Sequence, residues 1–174
     1  MTVKKPFLQG ERRRPLKGSF MRVALSGMLV AVTLTGCAMQ PSVTRQNAVL
    51  STSTTDAATA ASIISAYRVS RVLSPVTVDA RLNKAAEHQA RAVAAAGQLS
   101  HGRFASRMDQ YGIAGYAAEN LSAGSSSVDA VVKRWKASPQ HNSNLLMPQA
   151  RKIGLARADA DGGYGRYWAL VLGQ

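Results

Sequence analysis

The chain has 174 residues and a formal net charge of +13, with 22 lysines and arginines against nine acidic residues. This length accommodates one ordinary domain, and a hydrophobic content of 46% excludes a disordered polyelectrolyte. The single cysteine, Cys37, excludes both an intrachain disulfide framework and a cysteine-rich zinc site.

The first 36 residues have the pattern of an export signal. A basic head precedes an uncharged apolar run at residues 23–34, which is shorter than a membrane-spanning helix and ends in Leu34-Thr35-Gly36-Cys37. This ending resembles the lipobox of bacterial lipoproteins, so we predict a signal peptide at residues 1–36 and lipidation of Cys37. The alternative is a cytosolic apolar helix with a buried cysteine. Met1 and Met21 are both possible starts, and the general and twin-arginine export routes both stay open.

Removal of residues 1–36 would leave fifteen basic and eight acidic residues. The basic residues are scattered singly and form no cluster interleaved with aromatic residues, which argues against a nucleic-acid partner. A basic surface favours attraction to anionic lipids or envelope polymers. The predicted location is therefore the cell envelope, with the membrane contacted through lipidated Cys37. Because Ala38 rather than an aspartate follows Cys37, we expect the outer membrane in a Gram-negative cell, on its periplasmic face or at the cell surface.

Residues 37–55 are rich in serine, threonine, asparagine and glutamine, which predicts a flexible tether ahead of a domain at 56–174. The apolar spacing predicts a first helix at 56–70 with Asp56 as its N-cap. A second helix is expected from Asp79, as N-cap, to residue 96, and Gly97 ends it. The many alanines of this second helix predict close packing against its neighbour.

The rest of the chain is predicted to contain three more helices and a hairpin. A short helix is expected at 104–110 and a longer one at 127–137, with an extended or irregular segment at 117–121 between these two. Another short helix is expected after Ser138-Pro139. Strands at 153–158 and 167–172 flank turn-forming residues. Helices followed by a closing sheet indicate a layered α+β domain. The predicted core residues are Trp135, Leu145, Leu146, Ile153 and Trp168.

Three residues are candidates for chemistry. His101 lies in a predicted loop, His141 at a predicted helix start, and Glu119 in a small, apolar stretch. Two histidines and a carboxylate could bind zinc and leave a position open for water, or they could form a polar cluster without a ligand. His88 is expected on a helix surface. The sequence contains neither a serine-nucleophile elbow nor a glycine-rich phosphate loop.

Several motifs occur in this chain in a characteristic order. Together they resemble the bacterial branch of the CAP superfamily, also called the SCP domain. The name covers cysteine-rich secretory, antigen 5 and pathogenesis-related 1 proteins. The resemblance spans about residues 60–173. The matching pieces are Leu82-x-x-Ala85-Ala86, Leu99-Ser100-His101, Arg107, Tyr116-Ala117-Ala118-Glu119-Asn120-Leu121, Trp135-x-x-Ser138-Pro139-x-His141-x-x-Asn144-Leu145-Leu146, Ile153-Gly154-Leu155-Ala156 and Tyr167-Trp168.

The resemblance implies an α-β-α sandwich in which a small antiparallel sheet lies between helical layers. It implies a cleft with two histidines and acidic residues, where some family members bind a divalent metal such as zinc. By motif, His101 and His141 resemble the cleft histidines and Glu119 the cleft glutamate, with Asn120 and Asn144 as supporting residues. The chain departs from the fuller family pattern in two places. It lacks a second glutamate shortly after its tryptophan, and Ala169-Leu170 stand where a glutamine is common.

Three functions are compatible with these patterns. The first is an envelope-anchored module that binds lipids, envelope polymers or another protein. The second is a metal-dependent hydrolase, in which His101 and His141 hold the ion while Glu119 is a ligand or the general base. The third is a structural envelope protein with a relic cleft, for which the same three side chains should be exposed and far apart.

Overall fold

A computed structural model describes residues 46–174 of the chain. The predicted signal peptide, Cys37 and the predicted tether up to residue 45 lie outside the described residues. Within them, no helix combines the length and the apolar character needed to cross a membrane. The elements follow in the order β1 Val49–Ser53, α1 Ala57–Val69, β2 Thr77–Val78, α2 Ala80–Ala96, α3 Phe104–Gln110, β3 Ala117–Ala123, α4 Val128–Ala137, α5 Pro139–Leu145, β4 Lys152–Ala160 and β5 Arg166–Gly173.

The strands form one sheet with the order β1-β4-β5-β3, in which all neighbours are antiparallel. The short β2 pairs in parallel with the start of β4. The predicted hairpin therefore forms the centre of the sheet, and β3 lies at one edge with β5 as its only partner along this order. The helices cover both faces of the sheet, which confirms the predicted α+β class.

One face of the sheet is built from small residues. The α2 helix buries a stripe of alanines that includes Ala85, Ala86 and Ala90. A Cβ atom at Gly154 of β4 would lie only 2.0 Å from the backbone carbon of Leu82. The α2 backbone therefore contacts the strand backbone, as the alanine-rich sequence predicted, because neither surface carries a side chain that holds the two apart.

The opposite face is built from large residues. It packs α1, α4 and α5 against alternate positions of β4 and β5. Trp135 and Trp168 are the largest fully buried side chains, and Leu145 and Ile153 are also buried. Four of the five predicted core residues are thus confirmed. The fifth, Leu146, is only half-buried because α5 ends at Leu145 and the chain turns there.

The helix ends show which sequence signals were used. Asp79 caps α2 by accepting hydrogen bonds from the amides of Arg81 and Leu82, and Gly97 ends that helix with φ +65°. Ser127 caps α4 in the same manner. Asp56 precedes α1 as predicted, but its side chain makes no capping hydrogen bond.

The predicted tether extends too far into the chain. Residues Val49–Ser53 form β1 and pair with Arg157–Ala160 of β4. The prediction failed because a five-residue strand of mostly polar, half-exposed residues at a sheet edge has the composition of a linker. The strand forms because it pairs with residues about 100 positions later in the chain. One example is the hydrogen bond that Ser51 donates to Asp159.

A buried arginine joins two segments of the chain on the large-residue side. Arg68 of α1 is fully buried and donates hydrogen bonds to four carbonyl oxygens, those of Ser74, Leu145, Met147 and Ala150. Burial lowers the pKa of Arg68, and the nearby positive charge of Arg151 lowers it further. The segment after α1 is therefore held beside the segment between α5 and β4.

Candidate functional site

The candidate site is centred on the edge strand β3, where two neighbouring residues point to opposite faces of the sheet. Ala117 and Leu121 pack with the small-residue face, whereas Ala118 packs with the large-residue face. The alternation of a strand therefore places Glu119 on the α2 side and Asn120 on the α5 side. Each residue organises one of the two candidate histidines.

Glu119 holds His101 in place. Its carboxylate Oε1 lies 2.8 Å from Nδ1 of His101, and its Oε2 accepts a hydrogen bond from Nη2 of Arg107. The Glu119 side chain is only 2% exposed, whereas the His101 side chain is 58% exposed. The buried carboxylate therefore has both oxygens engaged, and the imidazole that it orients faces solvent.

His141 is positioned from the other face. It lies in the first turn of α5, where its Nδ1 is 2.9 Å from the Ser138 hydroxyl oxygen. Nδ2 of Asn120 donates to the backbone oxygen of His141 at 3.0 Å, and Nδ2 of Asn144 donates to Oδ1 of Asn120 at 2.9 Å. The helix start that carries His141 is thus tied to β3 through two asparagines.

His141 is partly buried, and this affects its titration. Burial lowers the pKa of His141 below its ordinary value of 6.5, and the charge of His101 lowers it further. His101 is hydrogen-bonded to Glu119, and the backbone oxygen of His141 is hydrogen-bonded to the adjacent Asn120. Loops and helices from opposite faces of the sheet therefore meet at the β3 edge.

The same edge has its backbone acceptors occupied by side chains. The carbonyl oxygens of Glu119, Leu121 and Ala123 accept hydrogen bonds from Asn144, Trp135 and Arg134, at 3.2, 3.1 and 2.9 Å respectively. An edge strand with free backbone groups could add a further strand. Here those acceptors are already used, so an extended peptide cannot pair with β3 along this stretch.

Comparison with known proteins gives the family. The family model for the cysteine-rich secretory protein family, CAP, matches residues 62–172. The chain belongs to the CAP family. This match confirms the resemblance found in the sequence, while comparison with curated proteins finds no match.

Solved structures agree on the CAP fold. An outer surface protein from Borrelia burgdorferi shares 23% sequence identity with a TM-score of 0.61, covering 68% of this chain and 92% of that one. An extracellular SCP-domain protein from Bacillus anthracis shares 20% identity with a TM-score of 0.59, covering 67% of this chain and 39% of that one. A cysteine-rich secretory protein from Staphylococcus aureus shares 16% identity with a TM-score of 0.54, covering 66% of this chain and 36% of that one. The chain thus spans less than half of the last two proteins.

A cavity of about 400 Å³ in this CAP domain is lined by residues of α2, α3 and the segment after His101, but not by His101 itself. Gly102 and Arg103, which follow His101 directly, line it together with Gln89 and Arg107. None of the residues that line this cavity is acidic. Because Arg107 is already paired with Glu119, the positive charge available to a ligand is that of Arg103, which favours an anionic group.

A larger cavity of about 570 Å³ lies between β1, α2 and Tyr111. His88 lines it, with its Nδ1 3.2 Å from the Tyr111 hydroxyl. His101, Glu119 and His141 do not line this cavity. His88 is exposed on a helix surface, as the sequence predicted.

The predicted zinc set of His101, Glu119 and His141 does not fit this geometry. Within residues 46–174, no group of three histidine, cysteine, aspartate or glutamate side chains is placed to hold a metal ion. Both Glu119 oxygens are already hydrogen-bonded to His101 and Arg107. A catalytic zinc ion takes three protein ligands, and the two histidines supply only two.

The sequence named most of the residues of this site, but it gave no role to Arg107. Glu119 and His101 are in contact, and Asn144 donates a hydrogen bond to Asn120. Arg107 belonged to the recognised pattern, but spacing alone gave it no role. Its place in the recognised motif set, in a predicted short helix six residues after His101, is the signal that could have indicated its pairing with Glu119.

Proposed function

We propose that this CAP-domain protein is an exported, membrane-anchored binding module, and that its cleft recognises an anionic group of an envelope polymer. The solved relatives are described as outer surface, extracellular and secretory proteins, which supports export. Lipidation of Cys37 in the lipobox-like segment would supply the anchor. The proposal thus places a ligand site outside the cytoplasm.

The observation that carries the cleft proposal is how Glu119 is used. Its two oxygens bind His101 and Arg107, so the carboxylate holds protein groups in place and does not face a ligand. A histidine whose Nδ1 is bound by a carboxylate presents its Nε2 in a fixed direction. The segment after His101 carries Arg103 into a cavity that no acidic residue lines.

Calorimetry with soluble peptidoglycan fragments, which carry peptide carboxylates, tests this proposal. We expect binding that falls at least tenfold in Arg103→Ser, which removes a donor that lines the cavity, and in His101→Ala, which removes the imidazole that precedes the lining segment. Arg81→Ser is the matched control, since Arg81 is an exposed arginine of α2 that does not line this cavity. Absence of binding, or equal losses in the control, would refute the polymer proposal.

Zinc titration separates this proposal from the metal-dependent hydrolase. We expect no zinc binding of micromolar affinity, about −8 kcal/mol, because the carboxylate that would complete the set is engaged. Zinc binding at or below micromolar Kd, lost in the His101→Ala/His141→Ala double variant, would instead establish a metal centre. That outcome would justify a screen for hydrolysis.

The anchor is tested separately in cells. Cys37→Ser should move the exported protein from the membrane fraction to the soluble fraction, because serine has no thiol to carry the lipid. Leu34-Thr35-Gly36, which precede Cys37, complete the lipobox-like segment. Cell fractionation with immunoblotting measures the change. Membrane association that persists in the Cys37→Ser variant would remove the lipoprotein proposal and leave the cleft proposal untouched.

A further inference from the structure

A surface at the end of α1 combines exposed valines with unpaired basic side chains. We define it by Val69, Arg71, Val72, Lys136 and Arg151 and name it the basic tip. Val72 is 96% exposed and Val69 is 57% exposed, whereas most large aliphatic side chains of the described residues are buried. Two exposed valines three residues apart form a small apolar prominence.

Val72 is also in an unfavourable backbone conformation. Its φ is +61°, and it is the single non-glycine residue with a positive φ in the described part of the chain. A β-branched side chain disfavours this conformation, which glycine or asparagine adopts readily. The valine contributes nothing to the core, so folding alone does not explain an apolar side chain at this position.

The basic residues of the tip are held together by contacts. Lys136 Nζ lies 4.3 Å, and the Arg71 guanidinium carbon 5.5 Å, from the centre of the Tyr67 ring. Arg68 binds the carbonyl oxygens of both Ser74 and Ala150. The segment that contains Val72 therefore lies beside the residues just before β4, which include the exposed Arg151.

The tip contains no acidic residue to balance these charges. The three segments that form it, residues 66–78, 133–137 and 147–152, have no aspartate or glutamate. Arg71, Lys136 and Arg151 form no ion pair within residues 46–174. An apolar prominence surrounded by cations that form no ion pair is complementary to a surface that is anionic outside and apolar beneath.

We propose that the basic tip docks onto an anionic phospholipid bilayer, with Val69 and Val72 at the headgroup level and the three cations against lipid phosphates. Cations near an anionic membrane gain electrostatic free energy, and valine side chains gain from leaving water. This inference does not depend on the cleft or on Cys37. It concerns a surface of the folded domain, which would orient the domain on the membrane.

Vesicle sedimentation tests the proposal with residues 38–174, which contain both hydrophobic clusters of the domain. The vesicles contain phosphatidylcholine alone or with 30% phosphatidylglycerol. We expect binding only to the anionic vesicles, and its loss in 0.5 M salt. The Arg71→Ser/Lys136→Ser variant should bind about 25-fold more weakly, because each cation near the surface changes the partition coefficient by about fivefold.

The valines are tested by Val69→Ser/Val72→Asn, in which asparagine tolerates the positive φ. We expect a loss of about tenfold in anionic binding with no loss of thermal stability. Leu50→Ser and Lys84→Ser are matched controls at an exposed leucine of β1 and an exposed lysine of α2. Circular dichroism verifies that every variant is folded.

Three outcomes would overturn the proposal. The first is no vesicle binding, or binding that is equal with phosphatidylcholine alone. The second is equal binding by the tip variants and the controls, which would assign the attraction to the overall charge. If the tip variants instead lose binding to another protein and keep vesicle binding, the tip is a protein interface and the membrane proposal is wrong.

Discussion

The two faces of the sheet use opposite packing solutions, although the same strands build both. On the α2 face, Gly154 and alternate alanines of β4 contact the backbone of the helix. On the α1, α4 and α5 face, Trp135 and Trp168 fill the space between the layers. Alternation along a strand thus produces a thin layer on one side and a thick layer on the other.

The difference also determines how each histidine is positioned. On the thin side, a buried carboxylate, Glu119, bonds directly to the imidazole of His101. On the thick side, Asn120 and Asn144 hold the backbone of the helix that carries His141. The cleft therefore depends on side-chain electrostatics on one face and on backbone anchoring on the other.

The thick face should be most sensitive to deletion. Trp135→Ala should lower the free energy of unfolding by about 4 kcal/mol, because it opens a large cavity and removes the hydrogen bond to the Leu121 carbonyl. Chemical denaturation measures the change. Lys133→Ala, at an exposed position of the same helix, is the control and should change stability by less than about 0.5 kcal/mol. A cost near 1 kcal/mol for Trp135→Ala would mean that the thick layer collapses to fill the cavity.

The thin face should be most sensitive to addition. Gly154→Ala should cost about 3 kcal/mol, because its Cβ would lie 2.0 Å from the Leu82 backbone carbon and 2.2 Å from the Asn83 amide nitrogen. Gly173→Ala is the matched control in β5, where the nearest atom is a flexible Leu82 side-chain carbon at 3.3 Å. We expect a cost under about 1 kcal/mol there. Equal costs at the two glycines would show that α2 can move away from the sheet.

The sequence predicted the thin face better than the cleft. The alanine stripe of α2 and its two end signals lie within one helix, so local pattern is sufficient to find them. The pairing of Glu119 with Arg107 and His101 depends on three separate elements, and the resemblance gave only the types of residue. The strand β1 was missed for the same reason, since its partner is β4 at the far end of the chain.

The hydrogen bonds that Asn144 of α5 makes to β3 should contribute an intermediate amount to the free energy of unfolding. Asn144→Ala removes hydrogen bonds to the Glu119 carbonyl and to Oδ1 of Asn120, and it should cost about 2 kcal/mol because these acceptors are then left unpaired. Asn142→Ala is the control, since it loses only the bond from the Tyr67 hydroxyl. Faster amide hydrogen exchange in β3 of the Asn144 variant alone would confirm the link. Equal exchange in both variants would contradict it.

The smallest expected effect is on the pH dependence of stability, to which His141 should contribute and His88 should not. Because the pKa of folded His141 is lowered, chiefly by burial and then by His101, the unfolded chain binds the proton more tightly. Stability should therefore be intact above the ordinary pKa of 6.5 and should decline as the pH falls through 6.5 toward the lowered folded value. In His141→Gln this decline should be weaker, whereas the control His88→Gln should keep it. Thermal unfolding between pH 5 and pH 8 measures the slopes, and identical slopes in all three proteins would contradict a solvent-shielded His141 at the β3 edge.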